Sequence, residues 1–483
     1  MKTAVMEKSR EQVNVHSRLT VVSSTPTEPM GLACGLSPID HIMGSHTGHI
    51  IFYYRTSPFL PKGRFSMDLD NFRVSLAELL SEYPRITGRL VRGHDGHGNW
   101  LVKYNDAGVR MFKAEVGVTV DEWLGFADES DERNLTVWED MPDGDPTSWS
   151  PFQIQISEFV GGGLAVGLSF THLLADPTAA TQFYKAWTDA ERGETIGNNP
   201  PVFNLPLLDS RPAPATTNGN TCTTTKYLQR HSKLVPTDPP MKMATSTFKF
   251  SNKMIEKLLS EIADKCPNAT PFDYLTTLFW SRIIKLKTPA SPSPIQSISL
   301  CIDARKLLDV PIPNKFFGNA ISFSQLSLEN EMLTGDSGLA EAVESVHRHV
   351  TGIKKDDILS TVDWLETCRN ELNGMYPKPV QMYGPSLTCV SLEHLMIPKD
   401  EPKGEFESLV YEAKFRNNEK PVHVSYHVGK VEGEGLIVVG PSAEGGVART
   451  VTVTLPAEEI GKLCRDPVII EMEPAMILSG RRE

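Results

Sequence analysis

Nowhere in this 483-residue chain is there a run of about 18 apolar side chains, the length a helix needs to cross a bilayer. The first thirty residues mix Lys, Glu, Arg, Thr and Pro around no apolar segment, so neither a secretory signal nor an anchor is expected. Basic charge is short as well. Lys and Arg number 48 against 60 Asp and Glu, and the net charge of -12 argues against a nucleic-acid binder, whose phosphate contacts call for a basic field. The seven cysteines, at 34, 222, 266, 301, 368, 389 and 464, are odd in number and include no C-x-x-C pair. That fits reduced thiols in the cytosol better than disulfides or zinc, and no metal is expected.

What is present is the composition of a globular protein, 40% hydrophobic and 22% charged. The length is too great for one ordinary core and predicts two domains. The boundaries follow composition. Residues 1–205 form an N-terminal lobe, 206–245 a crossover rich in Pro, Thr, Asn and Ser, and 246–483 a C-terminal lobe.

Within the first lobe, the stretch from His49 to Tyr54 reads as a buried strand. Leu69, Phe72, Leu76, Leu79 and Leu80 fall near a 3.6 period and predict a helix over 69–82, ended by Pro84 and Gly88. Residues 151–172 alternate, turn at Gly161 to Gly163 and return, which predicts a hairpin delivering His172 at its end and a helix from Pro177. The second lobe opens with a strand near Thr247, then helices over 253–266 and 271–286 with a cap at Asn268 to Thr270. Three strands near 421–428, 435–440 and 449–455 read as a meander.

His172 and Asp176 stand four residues apart beyond an apolar strand. An imidazole there suits proton transfer at neutral pH, although a lone His-x-x-x-Asp is common in long chains and by itself reads as a buried structural histidine. The company it keeps changes that. The Leu36 to Asp40 opening, the Tyr83 to Leu90 turn, His172 with Asp176, Thr270 to Asp273, Trp280, Asp303 to Arg305 and Phe317 to Asn319 stand in order along the chain. In this the sequence resembles the plant BAHD acyl-CoA-dependent acyltransferases over nearly its whole length.

The resemblance implies an α/β fold of two lobes, each a mixed sheet with flanking helices, as in chloramphenicol-acetyltransferase-like proteins. It implies a monomer with a channel between the lobes, faced by His172 as general base. Acyl-CoA is the implied co-substrate, with no permanently bound cofactor and no metal. The acceptor is an alcohol or amine, and no covalent enzyme intermediate is required. Asp176 is the implied structural aspartate, with Arg305 as its ion-pair partner or else a solvated charge. Gly318 and Gly384 are either turns needing positive φ or channel residues, and Asn319 donates to backbone or to substrate.

One motif departs from the family. Most active members carry Asp-Phe-Gly-Trp-Gly late in the chain, whereas the corresponding residues here are Val380, Gln381, Met382, Tyr383 and Gly384. This form, with Thr136 to Asp140, Gly162 to Ser169 and the 421–460 region, resembles the ECERIFERUM/Glossy branch, associated with cuticular wax. That branch implies very-long-chain lipid metabolism and an alternative function, a non-catalytic accessory of the fatty-acid elongase condensing enzyme. The expected location is cytoplasmic, at the endoplasmic reticulum through that partner.

Overall fold

The computed structural model of the protein describes residues 13–57, 69–93, 98–142, 145–194, 200–205, 207–208, 241–287, 293–307, 315–335, 338–398 and 406–480. The expected crossover lies almost wholly outside these residues, as do the leader up to residue 12 and Cys222.

Two mixed sheets organise the chain. The first has six strands in the order Val13–Val21, Val109–Val116, Phe152–Phe159, Leu164–Thr171, Thr47–Tyr54 and His423–Val428. The second has seven, in the order Ile321–Glu329, Ile295–Asp303, Thr388–Ser391, Leu436–Pro441, Arg449–Pro456, Met243–Phe250 and Ala475–Ile477. Parallel pairs occur in both. Helices flank each sheet, as the two-lobe α/β expectation requires.

The hairpin that carries the site forms as its sequence predicts. Phe152–Phe159 and Leu164–Thr171 pair antiparallel and are buried along their whole lengths. Gly161 and Gly162 turn the chain at φ +81° and +88°, a region that costs a residue with a Cβ. Helix Pro177–Glu191 follows and lays Trp187 against helix Leu69–Leu80, where Phe72 meets it edge-on at 5.1 Å, while Phe183 packs on Phe152 and Tyr184 stacks on Phe52. In the second lobe, helix Pro271–Lys287 is capped by Thr270 and Asp273, each accepting a backbone N–H of the other. It is buried almost all round against Phe248, Phe250, Ile298 and Leu300.

The expected meander does not form. Leu436–Pro441 and Arg449–Pro456 pair with each other, but His423–Val428 leaves them and adds to the edge of the first sheet, antiparallel to Thr47–Tyr54. Alternation along that strand identified it as a strand. Which sheet it joins is decided by partners some 370 residues away in the chain, between His423 and Tyr53. The second half of the sequence thereby helps to build the first lobe, and the seam between the sheets is where the site lies.

Among the described residues no helix is long and apolar enough to cross a membrane, and no cluster of His, Cys, Asp and Glu is arranged to hold a metal ion. Among the described residues no two cysteines form a disulfide.

Candidate active site

His172 sits one residue beyond strand Leu164–Thr171, its backbone N–H donating to the carbonyl of His46 at 3.0 Å. Four residues on, Asp176 is the N-cap of helix Pro177–Glu191, where its Oδ1 accepts from Ala179 N–H at 2.8 Å and Pro177 takes the first turn. Strand end and helix start thus fix the spacing of the pair.

The carboxylate of Asp176 takes a two-pronged contact from Arg305, Nη1 to Oδ2 at 2.9 Å and Nη2 to Oδ1 at 3.1 Å. Asp176 Oδ2 also accepts from Ala320 N–H at 2.9 Å. Arg305 bonds a second carboxylate, Asp303, at 2.5 Å, and the carbonyls of Phe316 and Gly318 at 3.3 and 3.1 Å. Burial opposes the guanidinium charge, but Asp176 and Asp303 outweigh it and push its pKa up. Of the two readings open for Arg305, the ion pair is the one observed. Thr178 and His394 complete this cluster, and no motif in the sequence singles out His394.

Asn319 is the hub on the other side. Its Nδ2 donates to Asp40 Oδ1 and to the carbonyl of His172, both at 2.7 Å, and its backbone N–H donates to Asp40 Oδ1 at 3.1 Å. With both amide hydrogens spent on acceptors, Oδ1 is left to accept from Nδ1–H of His172 at 2.8 Å. That fixes the tautomer and leaves the lone pair on Nε2. Asp40 is held in turn by the Ser37 capping box at the start of helix Pro38–Ile42. The sequence signal for Asp40 was the opening motif itself, but its role became visible only through this contact.

Nε2 of His172 meets the hydroxyl of Tyr383 at 3.1 Å, with the two rings stacked at 5.9 Å. The imidazole, expected to face a channel, has no exposed surface. Burial lowers its pKa, against the opposing pull of Asp176, Asn319 and Asp40. At neutral pH it is uncharged.

The residues replacing the missing motif still dock where the site needs them. Val380 N–H donates to Ile42 O at 3.1 Å and Met382 N–H to His46 Nε2 at 2.9 Å. His46 is another participant no motif revealed; its Nδ1 lies 3.0 Å from Gly429 O, and burial pushes its pKa down to about 3. Gly384 has φ +106°, and a Cβ there would stand 2.1 Å from Glu432 O, so it is the positive-φ glycine. Gly318 is different. A Cβ there would meet the Phe316 ring at 2.6 Å, so close approach is what requires glycine.

A cavity of about 290 Å³ opens in the seam between the sheets, lined by Arg133, Tyr426, His427, Lys430, Leu436 and Val438 among others. Beside it Glu132 accepts from Tyr53 and Ser425 hydroxyls at 2.6 and 2.7 Å and holds His427 at 2.9 Å. In spite of burial, that carboxylate raises the His427 pKa.

A family model described as the transferase family matches residues 11–468. Hydroxycinnamoyltransferase 2 of Oryza sativa subsp. japonica is 26% identical, over 86% of this chain and 90% of its own. Protein ECERIFERUM 26 of Arabidopsis thaliana is also 26% identical, over 95% and 96%. Among solved structures, vinorine synthase superposes with a TM-score of 0.68 at 18% identity, covering 93% of this chain and 96% of that one. F. sporotrichioides TRI101 complexed with coenzyme A and T-2 gives 0.64 at 14% identity, covering 92% and 100%.

Proposed function

The chain belongs to the transferase family of BAHD acyltransferases, and from that membership we propose that it moves an acyl group from acyl-CoA to an alcohol or amine with His172 as general base. The observation that carries this is the His172 to Asn319 contact at 2.8 Å, which commits Nδ1–H and leaves on Nε2 the lone pair that takes a proton. A buried imidazole with a lowered pKa is neutral at pH 7, the form a base must have.

In the proposed reaction the acceptor donates its hydrogen bond to Nε2 and attacks the thioester carbonyl as His172 removes its proton. The carbon–sulfur bond then breaks and the imidazolium returns the proton to the CoA thiolate. Asp176, bound to Arg305 and Ala320, anchors the loop that presents His172 and relays no proton. Coenzyme A in the TRI101 relative supports the choice of co-substrate. Likeness to ECERIFERUM 26 supports a place in very-long-chain lipid or wax metabolism, with a cytoplasmic monomer reaching the endoplasmic reticulum through a partner.

A second reading, a non-catalytic accessory of an elongase condensing enzyme, is favoured by one observation: the Tyr383 hydroxyl already fills the hydrogen-bonding position on Nε2. Expression in yeast with and without a plant condensing enzyme, beside His172→Ala, separates the two by mass-resolved acyl profiles. Chain extension that needs the partner and survives the substitution assigns the accessory role. Acyl transfer that disappears with His172 assigns the enzyme.

A further inference from the structure

A second cavity of about 290 Å³ lies against helix Pro38–Ile42. Its walls include Leu36, His41, Trp100, Asn204, Arg369 and Tyr376, and His172, Asn319 and Tyr383 are not among them. His41 is 6% exposed, and its Nδ1–H donates to the carbonyl of Ser37 at 3.0 Å. That bond assigns the tautomer, and burial lowers the pKa, so Nε2 carries a lone pair. Among the described residues nothing donates to it. A buried acceptor without a donor is costly, and a hydroxyl brought in by an occupant relieves that cost.

The other walls supply aromatic surface and positive charge. The His41 ring meets that of Tyr376 at 4.3 Å. Asn99 fixes the Tyr376 segment, its Oδ1 accepting from Tyr376 N–H at 3.0 Å and its Nδ2 donating to Gly374 O at 2.8 Å. Trp100 opens strand Trp100–Lys103 and carries the Arg92 guanidinium over its ring at 3.6 Å. Arg369, near the end of helix Lys355–Glu371, gives Nη1 to Glu366 at 3.1 Å and Nε to Gly374 O at 3.2 Å, and its Nη2 has no partner among the described residues. Behind Gly35 and Asn204, Arg85 donates to an oxygen of each, at 3.3 and 2.9 Å. Neither Arg85 nor Arg92 bonds a carboxylate among the described residues, so two of the three guanidiniums bordering the cavity are not neutralised by contact.

We infer that this cavity binds a small aromatic hydroxy acid, its hydroxyl donating to His41 Nε2, its carboxylate facing Arg369 Nη2 and its ring against Trp100 and Tyr376. The hydroxyl is the donor that His41 lacks, and the carboxylate accepts the N–H that Arg369 has left over. Binding here is separate from acyl transfer and does not depend on His172. The occupant rests on the helix that carries Asp40, one residue before His41, and Asp40 is the residue that holds Asn319.

The test titrates the purified full chain, without acyl-CoA, with three probes followed by saturation-transfer NMR: mandelate, phenylacetate, which lacks the hydroxyl, and phenylethanediol, which lacks the carboxylate. Mandelate is expected to bind in the millimolar range usual for its size, and each of the others roughly tenfold more weakly, the worth of one hydrogen bond to a buried or charged group. His41→Asn keeps an N–H for the Ser37 carbonyl and has no nitrogen at the Nε2 position, so it should bind mandelate and phenylacetate alike. Arg369→Gln should bind mandelate and the diol alike. Melting temperatures check that both variants are folded. Where either is not, His41→Phe, which keeps the ring against Tyr376, and a salt titration of the wild type, in which mandelate weakens and the diol does not, take their place. No binding of mandelate to the wild type at millimolar concentration overturns the inference, as does equal binding of the three probes or a preference for mandelate that both variants retain.

Discussion

Asn319 and Asp40, 279 residues apart in the chain, meet through two hydrogen bonds to one carboxylate oxygen, and this contact decides which nitrogen of His172 keeps its lone pair. The Asn319 amide cannot turn over without facing its carbonyl oxygen toward the Asp40 carboxylate. Replacing Asn319 by Ala is expected to lower kcat by roughly tenfold or more, part of the 10²–10⁴ that general-base catalysis supplies, with little change in KM. Nitrogen NMR of His172 checks the cause, showing a mixture of tautomers in the variant and one in the parent.

The buried cluster of Arg305 with Asp176 and Asp303 predicts a stability effect. Arg305→Leu strands two carboxylates in a site where the guanidinium is 4% exposed, and the expected loss is about 3–5 kcal/mol, the cost of breaking a buried pair. Arg305→Lys recovers only part of it, since an ammonium cannot reproduce the two-pronged contact. Chemical denaturation of the three proteins measures the order.

Gly384 tests whether the departed motif still matters. Gly384→Ala places a methyl 2.1 Å from Glu432 O in a backbone at φ +106°, and is expected to destabilise by at least the roughly 1–3 kcal/mol of a strained residue. Because Tyr383 precedes it, the His172 to Tyr383 bond should loosen as well. Thermal melting reads the first effect, and solvent exchange of the His172 ring proton the second.

Acid should weaken the fold through its buried imidazoles. His46 titrates near 6.5 when unfolded but only at about 3 in the folded chain. The unfolded state therefore binds the extra proton, and stability falls as pH drops from 6.5 toward 3, by up to about 1.4 kcal/mol per pH unit for this group. Burial shifts His49, His172, His394 and His423 in the same direction. His427, raised by Glu132 despite burial, opposes them: its contribution is present below 6.5 and lost as pH rises through its folded pKa. Urea midpoints between pH 7.5 and 4 should fall, and His46→Gln should flatten the slope.

Local signals made much of this legible. The hairpin to His172, the helix at Pro177 and the helices of the second lobe follow from period, turn residues and caps that lie within a few residues of one another. His172, Asp176 and Arg305 were legible as an ordered set of motifs. What the sequence withheld depends on contacts across the seam: Asp40 under Asn319, His46 beneath Met382, Glu132 with His427, and the strand His423–Val428 joining the first sheet. Tyr383 was legible only as a departure. That it lies on the base follows from how residues 380–384 dock on helix Pro38–Ile42.

The most direct measurement is the rate of CoA release by the purified protein from an acyl-CoA panel with alcohol and amine acceptors, wild type against His172→Ala. Acyl product is expected with the wild type, and a loss of about 10²–10⁴ on substitution. Product formed at the same rate by the variant would contradict it.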